Sequence, residues 1–190
     1  IYGLGDPIYK QYFKWVKGMV LEGNFGYSFS REAPVNEIIV ERIPPTIFIT
    51  SLTLIFIWIV AIPIGIYSSI KQYTIFDYFF TFIAFIGQSI PRFMLALVGM
   101  FVLYSYFGWN VGGLYSPDFV GTSWSFARFI DLLKHLPLPI LVIGMAGTGG
   151  LVRILRGMML DELGKEYVQT ARAKGLKERT VILKHVLKIA

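Results

Sequence analysis

Arg92 is the sole cation between Phe76 and Phe107, a stretch that is otherwise overwhelmingly apolar. A charge deep in such a stretch is costly and normally faces a partner or a water-filled cavity. Gln88 and Ser89 precede it by about one helical turn and Pro91 adjoins it. The four residues are candidates for lining a pathway in which Arg92 attracts an anionic group. The plainer alternative is that Arg92 snorkels to an interface or pairs with an acid on a partner chain. Other chemistry is sparse. The sequence holds no cysteine and two isolated histidines, His135 and His185. It has no Ser/His/Asp constellation and no paired carboxylates or metal-ligand spacing within its apolar segments, so neither a catalytic residue nor a metal site is expected. The run Gly144, Ala146, Gly147, Gly149, Gly150 lacks the following Lys-Ser/Thr and preceding strand of a phosphate loop.

A second patch of chemistry lies in the tail. Nine Lys or Arg residues stand against four acids from Arg153 onward, whereas residues 1–42 carry five of each sign. Leu160, Leu163, Tyr167 and Ala171 recur at spacings of three and four; Gly175 interrupts; Val181, Ile182, Val186 and Leu187 resume the pattern. This predicts two amphipathic helices meeting at an angle at Gly175. Such a tail either lies on anionic headgroups or presents a docking helix to a partner's groove.

The elements that carry these residues are membrane spans. Of 190 residues 55 % are hydrophobic and only 16 % charged, with a mean hydropathy of +0.60, against roughly 25 % charged in soluble domains. Residues 46–70 contain no charge, and about 20 apolar residues suffice to cross a bilayer. Pro44 and Pro45 are expected in the first turn of this span, and Pro63 with Gly65 predicts a kink near its far end. Residues 76–107 would be about 48 Å long as a helix, which suggests one tilted, kinked helix rather than two half-spans, with two short re-entrant segments as the alternative. A third span follows from Leu136 to about Val152, its small residues suited to close helix approach. The positive-inside rule puts the tail in the cytoplasm, residues 1–42 and the 108–135 loop outside, and the Lys71–Asp77 turn inside. An external N-terminal segment without an export signal implies a further span upstream of Ile1.

The string from Glu166 to Leu176, EYVQTARAKGL, followed by His185-Val186-Leu187-Lys188, resembles the cytoplasmic coupling loop of ATP-binding-cassette importer permeases of the oligopeptide/dipeptide (peptide/nickel) type. Gly3-Leu4-Gly5-Asp6-Pro7 with Gln11-Tyr12, Gly23 to Ser28, Pro34-Val35 and Glu41 to Thr46 resemble the external segment leading into that family's second span. Ser89-Ile90-Pro91 resembles its mid-helix kink. Where the general importer motif has Glu-Ala-Ala before the glycine, this chain has Gln169-Thr170-Ala171, so the fit is to the peptide branch. The Leu-Pro that would close the motif is not reached.

The resemblance implies an all-α, multi-pass permease of the cell inner membrane, here without its first span and last two spans. Residues 1–42 would form an extracytoplasmic segment and residues 43–157 the transmembrane region, with spans near 43–69, 76–107 and 133–157. Residues 158–190 would form the cytoplasmic coupling loop. Implied partners are a homologous permease in a heterodimer, two ATPase subunits that use ATP and magnesium, an extracytoplasmic binding protein and the lipid bilayer, with no nucleic acid and no cofactor in this chain. Glu166, Tyr167, Thr170, Ala171, Ala173, Gly175 and Leu176 would couple to the ATPase; peptides are the implied substrate, oligosaccharides or nickel the alternatives. Two rivals from other classes are a secondary transporter or channel subunit, which paired intramembrane acids or an internal repeat would favour, and a lipid-binding scaffold, for which a glycine-interrupted helix pair has no purpose.

Overall fold

The structure is a computed structural model that describes residues 5–190; Gly3 and Leu4 of the first external motif lie outside the described residues. Two compact units divide between Phe48 and Ile49. The first contains α1 (Ile8–Leu21) and a minimal antiparallel hairpin, β1 (Tyr27–Ser28) against β2 (Ala33–Pro34), with Tyr27 opposite Pro34 and Ser28 opposite Ala33. The Gly23-Asn24-Phe25-Gly26 string is turn chemistry. The Asn36 carboxamide accepts from Phe25 N–H at 3.1 Å and donates to the Gly23 carbonyl at 2.5 Å, while Asn24 accepts from Gly26 N–H at 2.9 Å. These bonds tie the turn to the first residues of α2.

Helix α2 runs unbroken from Val35 to Ile70, about 54 Å at 1.5 Å per residue. It therefore begins well before the expected start near residue 43, and Pro44 and Pro45 sit in its interior, not in its first turn. Each proline removes one helical donor, leaving the carbonyls of Val40 and Glu41 without an intrahelical partner. Both of those residues are exposed. Glu37, in the first turn, complements the positive end of the helix.

The second unit centres on α6 (Pro137–Leu163). It is surrounded by α2, α3 (Ile75–Ser89), α4 (Arg92–Phe107), α5 (Phe126–His135) and the tail. The small residues on α6 permit this packing. A Cβ on Gly144 would lie 2.6 Å from the Phe56 ring of α2, and one on Gly147 would lie 2.5 Å from Ile57. One on Gly149 would lie 2.8 Å from the Ala84 carbonyl of α3. From α2, Gly65 returns the contact against Leu155.

Residues 76–107 are not one kinked helix. Helices α3 and α4 meet at 102°, because Ile90 is extended at φ −84°, ψ 128° and Pro91 follows at φ −56°, ψ 131°. The pyrrolidine ring disfavours the helical region for the residue before it, and with Ile90 extended α3 ends at Ser89 and a new helix starts beyond the proline. At about 1.5 Å per residue neither half reaches across a hydrocarbon core of about 30 Å. Two helices, Val35–Ile70 and the α5–α6 pair Phe126–Leu163, are each long and apolar enough to cross a membrane; the bent pair makes a third crossing if it counts as one broken span.

Candidate functional site

The tail is built around a small core. Leu155 and Met159 of α6 pack with Val168 and Ala171 of α7 (Glu166–Ala173) and with Val181, Ile182 and Val186 beyond the turn. Met159, Val168, Val181 and Val186 are fully buried. The apolar stripe read from the sequence holds at Leu163, which packs against this core, and at Ala171, while Met159 and Val168 point inward in place of their neighbours Leu160 and Tyr167. The Val168–Ala171 spacing of three carried that signal. The segment after Gly175 starts as a single α turn, α8 (Glu178–Thr180), and continues as a π-helical turn over Val181–Val186, with Leu187 N–H donating to the Ile182 carbonyl at 2.8 Å.

Between these packed segments stands an exposed turn. Gly175 has φ +74°, a left-handed conformation that glycine adopts without the steric penalty of a Cβ. Its N–H donates to the Arg172 carbonyl at 2.9 Å, and Leu176 N–H reaches the Ala171 carbonyl at 3.4 Å, the paired bonds of a Schellman C-terminus. Arg172 and Glu178 clamp the turn from both sides, Nη2 to Oε1 at 2.6 Å and Nε to Oε2 at 3.1 Å. The Arg172 guanidinium holds the Glu178 carboxyl below its usual value, and the bond in turn raises Arg172. Tyr167 closes the other end. Its hydroxyl donates to Glu162 at 2.6 Å, which pushes the phenol up to about 12, and it lies 3.3 Å from the His185 carbonyl.

Of the seven predicted coupling residues, Glu166, Thr170 and Ala173 share one exposed helical stripe that leads to Gly175 and Leu176 at the tip. Tyr167 is partly covered and structural in its bonds. Ala171 faces the core, where its small side chain fits between α6 and the π-helical turn.

The second candidate is the break between α3 and α4. Gly87 through Arg92, with Ala146 and Gly150 of α6, line an open depression of about 450 Å³, so Gln88, Ser89, Pro91 and Arg92 do come together. The Gln88 side-chain oxygen accepts from Arg153 Nη2 at 3.1 Å, and the Arg153 guanidinium sits over the Phe85 ring at 5.1 Å. Arg92 is exposed at the N-terminus of α4, the end where the helix dipole disfavours a cation. Among the described residues no acid pairs with it.

Sequence reasoning missed the polar ties between α3 and α6. Asp77, buried, accepts from Tyr73 N–H at 3.0 Å and from Arg156 Nη2 at 3.3 Å, while its own N–H donates to Thr74 Oγ1 at 3.4 Å. The Thr74-x-x-Asp77 spacing is a capping box, legible in the sequence; that Arg156 would reach it was not. Arg153 likewise registered only as one of nine tail cations.

Residues 61–190 match the family described as binding-protein-dependent transport system inner membrane component. Over its whole length the chain is 40 % identical to the oligopeptide transport system permease protein AppB of Bacillus subtilis, covering 58 % of that protein. It is 34 % identical to the inner membrane ABC transporter permease protein YejB of Escherichia coli O157:H7, with 100 % of the chain and 52 % of the relative aligned. To the dipeptide transport system permease protein DppB of Escherichia coli K12 it is 32 % identical, with 99 % of the chain and 60 % of the relative aligned. The chain spans a little over half the length of these relatives. It is an all-α membrane chain of the binding-protein-dependent transport system inner membrane component family.

Proposed function

We propose that this chain is part of the permease subunit of an ATP-driven importer of peptides. It would work beside a homologous permease and receive substrate from an extracytoplasmic binding protein, and it would be driven by two separate ATPase subunits that bind ATP and magnesium. The tail faces the cytoplasm in this reading, in keeping with its excess of basic residues. The observation that carries the proposal is the exposed Glu166–Thr170–Ala173 stripe and Gly175 turn standing on a core shared with α6. A partner gripping the turn would move α6 with it, because the fully buried Met159 and Val168 leave no soft layer between them. From α6, the Arg153–Gln88 bond leads to the depression at the α3–α4 break. There Arg92, with no acid paired to it among the described residues and at the unfavourable end of its helix, would attract the carboxylate of a peptide.

The test is to purify the full-length protein gently from its native membrane and compare it with a Gly175→Arg variant. A co-purifying P-loop ATPase and a second permease, lost or weakened in the variant, are the expected result. A chain that emerges alone or as a homo-oligomer, indifferent to the substitution, would favour a transporter that needs no ATPase. For the pathway, Arg92→Gln should slow uptake while leaving assembly intact; unchanged uptake would remove Arg92 from the pathway.

A further inference from the structure

Helix α5 buries two ionisable residues beside Leu132 and exposes a stripe of large apolar ones. Two of its ionisable residues point inward, Asp131 at 8 % exposed and His135 at 3 %, whereas Arg128 is half-buried and Lys134 is exposed. The polar contacts of Asp131 and His135 are made within the protein. Ser116 donates to the Asp131 carboxylate through its N–H at 2.7 Å and its hydroxyl at 2.6 Å. The His135 ring nitrogens lie 2.8 Å from the Asp131 carbonyl and 3.0 Å from that of Asn110. The outward face carries an apolar stripe, with exposed Lys134 at its edge: Phe126, Phe129, Ile130 and Leu133 recur at helical spacing, from 79 % exposed at Phe126 to 37 % at Ile130.

We infer that the Phe126–Leu133 stripe is a lipid-facing surface, and that the membrane-embedded part of the third span reaches over α5 to the leaflet opposite the coupling tail. Three observations commit the stripe to lipid rather than to a protein. First, α5 runs into α6 across the single residue Leu136, and the resulting 38-residue helix is long enough, and apolar enough over part of its length, to cross a membrane, so the stripe adjoins a bilayer-crossing surface. Second, the lengths agree: from Phe126 to Arg153, the first cation of the tail, a helix rises about 40 Å at 1.5 Å per residue, which equals the thickness of a bilayer with its headgroup regions, about 40–45 Å. Third, the end carries an interfacial signature. Exposed Trp124 lies just ahead of α5, and the Arg128 guanidinium sits 5.4 Å from its ring and 4.6 Å from that of Tyr115, an aromatic and cationic cluster suited to the headgroup level. Burial of Asp131 and His135 within the protein is what ionisable groups at membrane depth require, and exposed Lys134 has a stem long enough to snorkel to the headgroups. The sequence alone puts the outer end of this span near residue 133 and leaves most of α5 in an aqueous loop.

The test uses the absence of cysteine from the sequence. Single variants Phe129→Cys, Ile130→Cys, Leu133→Cys and Ser123→Cys, made in the full-length protein, carry a spin label after reconstitution in phosphatidylcholine/phosphatidylglycerol vesicles. Collision with oxygen, which concentrates in lipid, is compared with collision with a water-soluble nickel chelate. The expected result is an oxygen-to-nickel ratio several-fold higher at 129, 130 and 133 than at 123, the exposed loop reference. Equal ratios at all four sites would overturn the inference by placing the stripe in water. Protection of the three stripe sites from both probes would overturn it by showing that protein covers the face. Should labelling unfold the chain, Ile130→Trp, read by fluorescence quenching in brominated lipid, decides the same question: added quenching supports the inference and none refutes it.

Discussion

Adjacent glycines in α6 permit a controlled test of the packing that positions the α3–α4 break. A Cβ on Gly149 would lie 2.5 Å from the Gln88 side-chain nitrogen and 2.8 Å from the Ala84 carbonyl, whereas one on Gly150 meets nothing within 4 Å. The Gln88 amide can swing aside, but the carbonyl is fixed in the backbone of α3. Reaching an ordinary separation of 3.4 Å requires the two helices to part by about 0.6 Å. Overpacking of this kind costs about 1–3 kcal/mol. Replacing glycine by alanine inside a helix gains up to about 1 kcal/mol at either position, so that contribution cancels when the two variants are compared. Gly149→Ala should therefore be less stable than Gly150→Ala by about 1–3 kcal/mol, measured as a shift in the midpoint of SDS-induced unfolding of the full-length protein in mixed micelles. Equal stabilities, or the reverse order, would refute the claim that Gly149 sets the α3–α6 distance. The Gly149 variant should also disturb the Gln88–Arg153 bond, since Gln88 must move to admit the methyl group.

Three further outcomes follow from the tail. Gly175→Ala should destabilise the turn by about 1–2 kcal/mol through its left-handed backbone alone, because a Cβ there meets no neighbour; Gly175→Asn should cost less, and hydrogen exchange of residues 174–180 would report both. The Arg172–Glu178 clamp is exposed, with side chains 41 % and 53 % accessible, so Glu178→Gln should loosen the turn by no more than about 1 kcal/mol. Its carboxyl is held below the ordinary value. The clamp is therefore intact above the usual carboxylate range of about 4.3 and is lost as pH falls through the lowered value, which proteolysis of the tail at graded pH would detect. Tyr167, with its phenol raised from 10.0 to about 12, should contribute fully below pH 10 and lose that contribution, with its bond to Glu162, as pH rises through about 12. Tyr167→Phe should delete the highest-pH step from the tyrosinate absorbance titration; loss of a step near 10 instead would refute the Glu162 bond.

Local chemistry was legible in the sequence. Uncharged runs, the excess of basic residues after Val152, the glycine between two amphipathic segments and the coupling-loop string were enough to indicate a helical membrane chain and its tail. Each of these is a property of neighbouring residues: hydrophobicity decides whether a segment can enter lipid, and only glycine accepts the turn at 175 without a steric cost. Proline was legible only in part. Pro91 marked a disturbance, but whether the helix bends or breaks depends on the backbone of Ile90, which is extended here although the residues before Pro45 and Pro63 stay helical. Pro44 and Pro45 read as helix starters, yet the bonds of Asn36 to the turn at Gly23–Gly26 fix the helix earlier.

Tertiary structure decided which face of each helix turns inward. A shift of one residue rotates a side chain by about 100°, so the inward residues became Met159 and Val168 in place of Leu160 and Tyr167 only once α6, α7 and the π-helical turn packed together. The same holds for the long-range partners. Asp77 with Arg156, Gln88 with Arg153, and Asp131 with Ser116 are separated by 79, 65 and 15 positions, and no local pattern pairs them. Composition determined that this chain belongs in a membrane. Which of its surfaces meets lipid, which meets another helix and which stands free at the turn depends on rotational register and close approach, and those exist only after the helices have packed.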